Sequence, residues 1–333
     1  MDRTKCHLLI DMVVIALCAA ICGAEGWADV ERFGNKKKEW FVRFRQLPAS
    51  FPSHDTFGRV FARLDTSEFY ACLQRWVRTL NGALTDHGVR LDGKTLRHSF
   101  DTASGKDALQ LLNAWSSDLQ VCLGQVAVDK DSNEITAVPK LLELLELTGA
   151  VVTLDAMHCQ KETAQAIRDK GADYVLTVKG NQPTLHAEIQ KCFEDAGEKD
   201  YDVPGLRRLK KTEQGHGRIE HREYSVMPAP KSLRDKDSQE VVFFISSLPV
   251  SVKRLAKHLR GHWGIENSLH WSLDVTFGED KSRIRCGNAP EIAGALRRLR
   301  SLDSQAGHFS EKVLDSRQET PGRNGVTMSS KGF

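Results

Sequence analysis

Apolar residues recur along this chain at two different periods. In residues 1–87 the period is helical: Leu8 to Cys22 is apolar nearly all round, and Val30 to Phe44 carries a basic face. Pro52-Ser-His-Asp-Thr-Phe57 reads as a helix entry with Ser53 or Asp55 as cap, and Phe57, Val60, Phe61 and Leu64 follow at core spacing. Another helix opens at Ser67 and runs through Trp76 to Leu80. Short helices joined by tight turns beside basic residues suit either a helix-turn-helix DNA reader or a helical cap packed on the next domain.

From Gly88 short apolar runs alternate with helices. Val89 to Asp92 is a short strand broken at Gly93, and Leu109 to Trp115 and Gln120 to Val128 are two more. A helix over Asn133 to Leu147 follows, with Ile135, Val138, Leu141, Leu142 and Leu145 apolar. Ala150 to Asp155 is the clearest buried strand, and it too ends on an aspartate. Glu162 to Lys170 is a helix closed by Gly171, and Tyr174 to Lys179 is the next strand. This succession predicts an α/β sheet, whose functional groups gather at the carboxyl ends of strands.

Residues 195–250 interrupt the alternation as a β-rich insertion, with Gly215 to Val226 at period two and Glu240 to Ser247 as a further strand. After Leu299 the periodicity stops. Ser301 to Phe333 is Ser, Gly and charge without an apolar face, so residues 300–333 are expected to be a disordered tail. The expected organisation is a small helical domain (1–87), an α/β domain (88–299) and this tail.

Composition adjusts the picture only slightly. The 333 residues are 40% hydrophobic, as in an ordinary globular protein, and the net charge of +3 is too small to demand a nucleic-acid partner. Local clusters say more: Asn35 to Lys38, Arg207 to Lys211 and Arg297 to Arg300 are either solvated faces or anion-binding patches. The 8 cysteines include no C-x-x-C pair, which argues against a zinc ribbon or disulfide scaffold and for free thiols in a reducing, cytoplasmic setting. Met12 to Ala24 imitates a signal-peptide core, but it is about five residues too short to span a membrane and fits a buried helix better.

The chemically densest stretch is Arg260-Gly-His-Trp-Gly-Ile-Glu-Asn-Ser-Leu-His-Trp-Ser-Leu-Asp274. At helical spacing His258, His262, Glu266, His270 and Asp274 form one slowly drifting polar row, with Leu259, Trp263, Leu269 and Leu273 on other faces. Glu266 sits among imidazoles and Lys253, Arg254, Lys257 and Arg260, so it is expected to be ionised and near something anionic. Two aspartates closing apolar strands, Asp92 and Asp155, can converge with Glu266 on one cleft. Carboxylate oxygens are the ligands of hard divalent cations such as Mg²⁺, and paired ions can drive phosphodiester cleavage. Each residue alone has a plainer reading: Asp92-Gly93 as a turn, Asp155 as a helix cap, Glu266 as a solvated helix residue. His262 and His270 could bind zinc, but no H-E-x-x-H pattern accompanies them. Trp263 and Trp271 read as core residues in preference to base-stacking platforms.

Leu91-Asp-Gly-Lys-Thr-Leu-Arg-His-Ser99, Leu154-Asp-Ala-Met-His-Cys-Gln160, Val178-Lys-Gly-Asn-Gln182, His216-Gly-Arg-Ile-Glu220 and His262 to Asp274 resemble the signature blocks of the H-repeat-associated branch of insertion-sequence DDE transposases. Gly23-Ala-Glu-Gly-Trp27 and Ser53 to Phe57 resemble that branch's amino-terminal associated domain. The likeness runs from about residue 5 to residue 299. It implies a ribonuclease-H-like catalytic fold, two Mg²⁺ ions with Mn²⁺ as a substitute, and cutting and joining of the element's double-stranded DNA ends into target DNA, with a homodimer on DNA as a further expectation. By motif position Asp92, Asp155 and Glu266 are the implied catalytic and metal-binding triad.

Lys94, Arg97 and Lys179 lie just past the strand ends, where they would hold phosphates, and Asn181 and Gln182 would reach bases or sugars unless they serve as turn formers. Related transposases carry a Tyr, an Arg and a Lys around the glutamate. Leu259, His262 and Leu273 stand near those offsets, so DNA contacts fall to Arg260, His262, Lys281, Arg283 and Arg285. The stretch Pro228 to Glu240 looks shortened, and beyond Leu299 the family's apolar helix and basic segment are replaced by unrelated polar sequence, as a frameshift or truncation would leave it. The expectation is therefore a metal-dependent DNA transposase. The alternatives are a catalytically impaired DNA-binding remnant of one, or a ribonuclease-H-like nuclease serving the host.

Overall fold

The computed structural model describes residues 7–299 apart from 46, 48–50, 81–83, 101–104, 106, 131–132, 199–206, 216–217, 227–241, 250 and 263–264, and it leaves aside the side chains of 77–80, 197, 207–226 and 266–268. The tail at 300–333, the shortened stretch Pro228 to Glu240, Trp263 and Cys6 therefore lie outside the described residues.

The amino-terminal residues fold as helices, as their period predicts: α1 (Leu9–Ile21), α2 (Trp27–Lys36), the short α3 (Lys38–Phe41), α4 (His54–Phe61) and α5 (Thr66–Leu80). Ser53 rather than Asp55 caps α4, its hydroxyl accepting from the Thr56 amide at 3.3 Å. Such a cap contributes about 1 kcal/mol. Met12, Ile15, Ala16 and Ala19 bury the apolar face of α1, and no helix among the described residues is long and apolar enough to cross a membrane. The Trp27 ring packs on Phe61 at 4.7 Å between centroids, joining α2 to α4. These helices sit against the sheet and its last helix, α10 (Ala289–Arg298), as a helical cap would. Asn288 donates to the Leu64 carbonyl at 2.9 Å, and Arg297 to that of Glu25 at 2.9 Å.

The remainder is mixed α/β. One six-stranded sheet has the order β3-β2-β1-β4-β5-β8, built from β1 (Gly88–Leu96), β2 (Leu109–Ser116), β3 (Val121–Ala127), β4 (Val151–Leu154), β5 (Asp173–Val178) and β8 (Phe243–Ser246). β1, β4 and β5 run parallel, whereas β2, β3 and β8 are antiparallel to their neighbours. The crossovers carry α6 (Glu134–Leu144) and α7 (Lys161–Asp169), whose Val138, Leu141, Leu142 and Ile167 enter the main core. After β5, α8 (Pro183–Glu198) opens on a proline at its first position, where no amide hydrogen is needed. A separate hairpin, β6 (Arg207–Gly215) with β7 (Arg218–Val226), occupies the region expected to be β-rich. Phe243–Ser246 from the same region joins the main sheet as its outer strand.

Two local expectations change. β1 does not stop at Gly93 but continues to Leu96, so Asp92 stands within a strand and not at its end. A Cβ at 93 would meet the Glu134 carboxylate, the end of a long side chain from α6. The polar row also does not ride one regular α-helix. α9 (Val252–His262) is followed, beyond 263–264, by π-helical turns at Ile265–His270 and Ser272–Thr276. In an α-helix, His262 and His270 would stand about 80° apart around the cylinder. Wider i→i+5 turns bring both toward the sheet.

Candidate metal and DNA site

The site grows from one face of β1. Alternate residues Arg90, Asp92 and Lys94 leave the strand on the same side, and the run from His258 to Asp274 lies along them. His258 packs where a side chain on Gly88 would otherwise stand, 3.2 Å from its Nδ1. Gly261 admits the Arg90 guanidinium, which a Cβ there would overlap. His270 Nδ1 stands 3.6 Å from Asp92 Oδ2, and Lys94 Nζ holds both oxygens of Asp274 at 2.7 Å.

β4 supplies the neighbouring level. Arg90 and Thr153 are the last paired couple of the parallel β1–β4 ladder. Two residues further along β1 stands Asp92, and two residues beyond Thr153, just past the end of β4, stands Asp155. Their side chains are 33% and 52% exposed. Thr153 Oγ1 meets His262 Nδ1 at 3.0 Å. Glu266 thus follows His262 and precedes His270 in a run held to the sheet at both residues, while its own side chain lies outside the description.

The electrostatics keep these groups in definite states. Burial opposes ionisation of Asp155, but the Ala156 amide, Lys179 at 3.3 Å and nearby His262 outweigh it and lower its pKa. Burial, with the positive charge of Arg90 beside it, pushes His262 down to about 4. Burial with Lys94 and Arg298 does the same to His270, also about 4. Both rings are neutral near pH 7, so the His270–Asp92 approach is a dipolar contact and no ion pair. Nε2 of His270 and Nε and Nη1 of Arg90 are buried without a partner among the described residues.

The expected DNA contacts divide sharply. Lys94 is spent on Asp274, while Arg97, mostly exposed, pairs with Asp280 at 3.2 Å. Asn181 donates to the Ala156 carbonyl at 2.7 Å and Gln182 to that of Cys159 at 2.8 Å, so both amides brace the turn after Asp155, the turn-forming alternative. Arg285 donates to the His98 carbonyl at 3.0 Å and covers the Phe100 ring. Lys179, Arg260, Lys281 and Arg283 remain exposed. Trp271, expected in the core, is 57% exposed, with Val275 exposed beside it; Trp115 takes the buried role, packed with Ile265, Leu269 and Leu273.

Several participants escaped the sequence reading. Arg90 and Thr153 look like ordinary strand residues. Each stands two residues before one of the two aspartates, and that was the available signal. Glu134 was hidden because its partners Gln110 and His158 come from separate elements.

Comparison with known proteins fits this geometry. Residues 84–299 match the family described as "Transposase DDE domain", and residues 1–77 match the one described as "DDE_Tnp_1-associated". The chain therefore belongs to the DDE transposase family, within its H-repeat-associated branch. It is 34% identical over 321 residues to "H repeat-associated putative transposase YhhI" of Escherichia coli (strain K12), covering 88% of this chain and 84% of that one. It is 36% identical over 318 residues to "Putative transposase YncI" of Escherichia coli O157:H7, covering 88% and 81%. With "H repeat-associated putative transposase YbfD" of Escherichia coli (strain K12) it shares 35% over 229 residues, covering 69% and 89%.

Proposed function

We propose that the chain is a metal-dependent transposase that cuts and joins double-stranded DNA at the ends of its own element, with Asp92, Asp155 and Glu266 as ligands of two divalent cations, Mg²⁺ or in its place Mn²⁺. One observation supports the reading: Asp92 on β1 and Asp155 just past the end of β4 each follow the last paired couple, Arg90–Thr153, by two residues, and the run that bears Glu266 meets these strands at His262 and His270. Among the described residues no group of three His, Cys, Asp or Glu side chains forms a metal cluster, and Glu266 would be the third. The donor set of three carboxylates fits a hard cation, which takes oxygen ligands. The antiparallel β1–β3 meander continuing into parallel β4 and β5 supports a ribonuclease-H-like core for residues 88–299, with residues 1–87 as the associated domain.

When bound, the cations would polarise the scissile phosphodiester and lower the pKa of the attacking water. The chain's own groups do the rest. Lys179 and Asn181–Gln182 hold the Asp155 turn, neutral His270 flanks Asp92 without competing as a cation, and Lys179, Arg260, Lys281 and Arg283 present exposed cations to phosphates. Hydrolysis frees a 3′ hydroxyl at the element end, and that hydroxyl displaces an oxygen at a target phosphodiester. The protein acts as a homodimer on DNA in the cytoplasm.

Incubation of the protein with Mg²⁺ and DNA carrying the element's ends tests the reading. Nicking that vanishes in Asp155→Ala is expected. Salt-sensitive binding without nicking would overturn it in favour of the DNA-binding remnant, and nicking indifferent to end sequence in favour of a host nuclease.

A further inference from the structure

Asn113 lies directly across the β1–β2 ladder from Asp92, so both side chains leave the sheet on one face. Its Nδ2 donates to the main-chain carbonyls of Asp92 at 3.3 Å and Leu111 at 3.1 Å, and its Oδ1 accepts from Arg298 Nε at 2.6 Å. Arg298 comes from α10 and also donates through Nη1 to Glu279 Oε1 at 2.8 Å and to the Gly294 carbonyl at 2.9 Å. None of Asn113, Glu279 and Arg298 is more than 2% exposed.

A charge pair this deeply buried seldom outweighs its own desolvation, and apolar residues of like volume often serve stability better. α10 has no need of it for docking, since Ile292, Ala295, Leu296 and Leu299 already bury its apolar face. What the pair does accomplish is specific. It orients a side-chain amide that grips the Asp92 backbone, and its guanidinium also acts electrostatically on His270, the neighbour of the Asp92 carboxyl.

We propose that Glu279–Arg298–Asn113 is a positioning relay that sets the Asp92 carboxylate for cation binding, with Arg298 and Asn113 as positioning residues. The relay makes α10 part of the metal site although no residue of that helix reaches it. It rests on the reading of Asp92 as a cation ligand.

Mn²⁺ binding to the full DNA-free chain, followed by calorimetry, tests the relay without any need for turnover. Asn113→Ala and the charge-free double variant Glu279→Gln/Arg298→Met should each weaken Mn²⁺ binding about 10-fold or more, as loss of groups that orient metal ligands does elsewhere. Binding of end DNA without metal should be unchanged. The double variant keeps the test sound if the cavity left by Asn113→Ala prevents folding. Weaker Mn²⁺ binding in Asp92→Asn with wild-type affinity in a folded relay variant would overturn the relay alone. Wild-type affinity in Asp92→Asn would overturn the ligand reading, and the relay with it.

Discussion

Thr153 Oγ1 and His262 Nδ1 stand 3.0 Å apart, and this contact ties the strand leading into Asp155 to the last turn of the helix that precedes Glu266. Thr153→Val keeps the branched shape and removes the hydroxyl. A single neutral hydrogen bond is worth about 1 kcal/mol, so denaturant unfolding should show a loss of that order. Nicking of end DNA should fall by more than the roughly fivefold that such an energy accounts for, because the contact also aligns the two elements. Equal nicking by both proteins would mean that the alignment does not depend on this bond.

Asp86 should give the protein a stability that depends on acid pH. Arg254 reaches its carboxylate at 2.8 Å, Lys257 at 3.1 Å and His258 at 3.4 Å, which fixes the first turns of α9 to the start of β1. Burial alone would raise its pKa, but these hydrogen bonds prevail and hold it at about 2 against an ordinary 3.8. Between those values the unfolded chain binds the proton and the folded chain does not, so stability rises with pH across that window. The contribution is complete above 3.8 and is lost as pH falls through about 2. Urea unfolding over this window should show that slope in the wild type and a flatter one in Asp86→Asn.

Gly261→Ala should be disproportionately harmful. The new methyl would overlap the Arg90 guanidinium, which is itself buried. Overpacking of this kind costs about 1–3 kcal/mol and would lift α9 from β1. Adding Arg90→Ala makes room for the methyl, so the double variant should lose less than the sum of the two single losses in thermal unfolding. Strict additivity would contradict the contact.

Trp115 and Trp271, both near the π-helical turns, should behave oppositely. Trp115 is buried against Ile265, Leu269 and Leu273, so Trp115→Ala should cost about 3–5 kcal/mol. Trp271→Ala should change stability by less than about 0.5 kcal/mol, since the ring is largely in solvent. Acrylamide quenching of the intrinsic fluorescence should lose a readily quenched component in Trp271→Phe.

The sequence made the elements legible where one period rules them. α1, α4, β4 and β5 follow from apolar spacing, and the six-stranded sheet from their alternation with α6 and α7. Asp155 stood out because a buried strand, Val151–Leu154, runs up to it. Two features depended on partners distant in sequence. Gly93 suggested a break in β1, but the strand runs on past it, with the Glu134 carboxylate from α6 alongside. Trp271 was read as a core aromatic in preference to a base-stacking platform, whereas between the two π-helical turns its ring is largely in solvent. No periodicity in the sequence announces such turns, because they are imposed by what the helix must face.

Those turns have one more consequence. β1 repeats every two residues and an α-helix every 3.6, so two such elements laid side by side fall out of step after a single matched pair. Here His262, His270 and Asp274 all find partners on β1 or β4. The widened turns absorb the mismatch and keep the two repeats in phase. A deletion of one residue between 265 and 269 would favour a more regular helix and, by rotating everything after it by about 100°, would carry His270 and Asp274 away from the sheet. In this segment a smoother backbone and an assembled site are mutually exclusive.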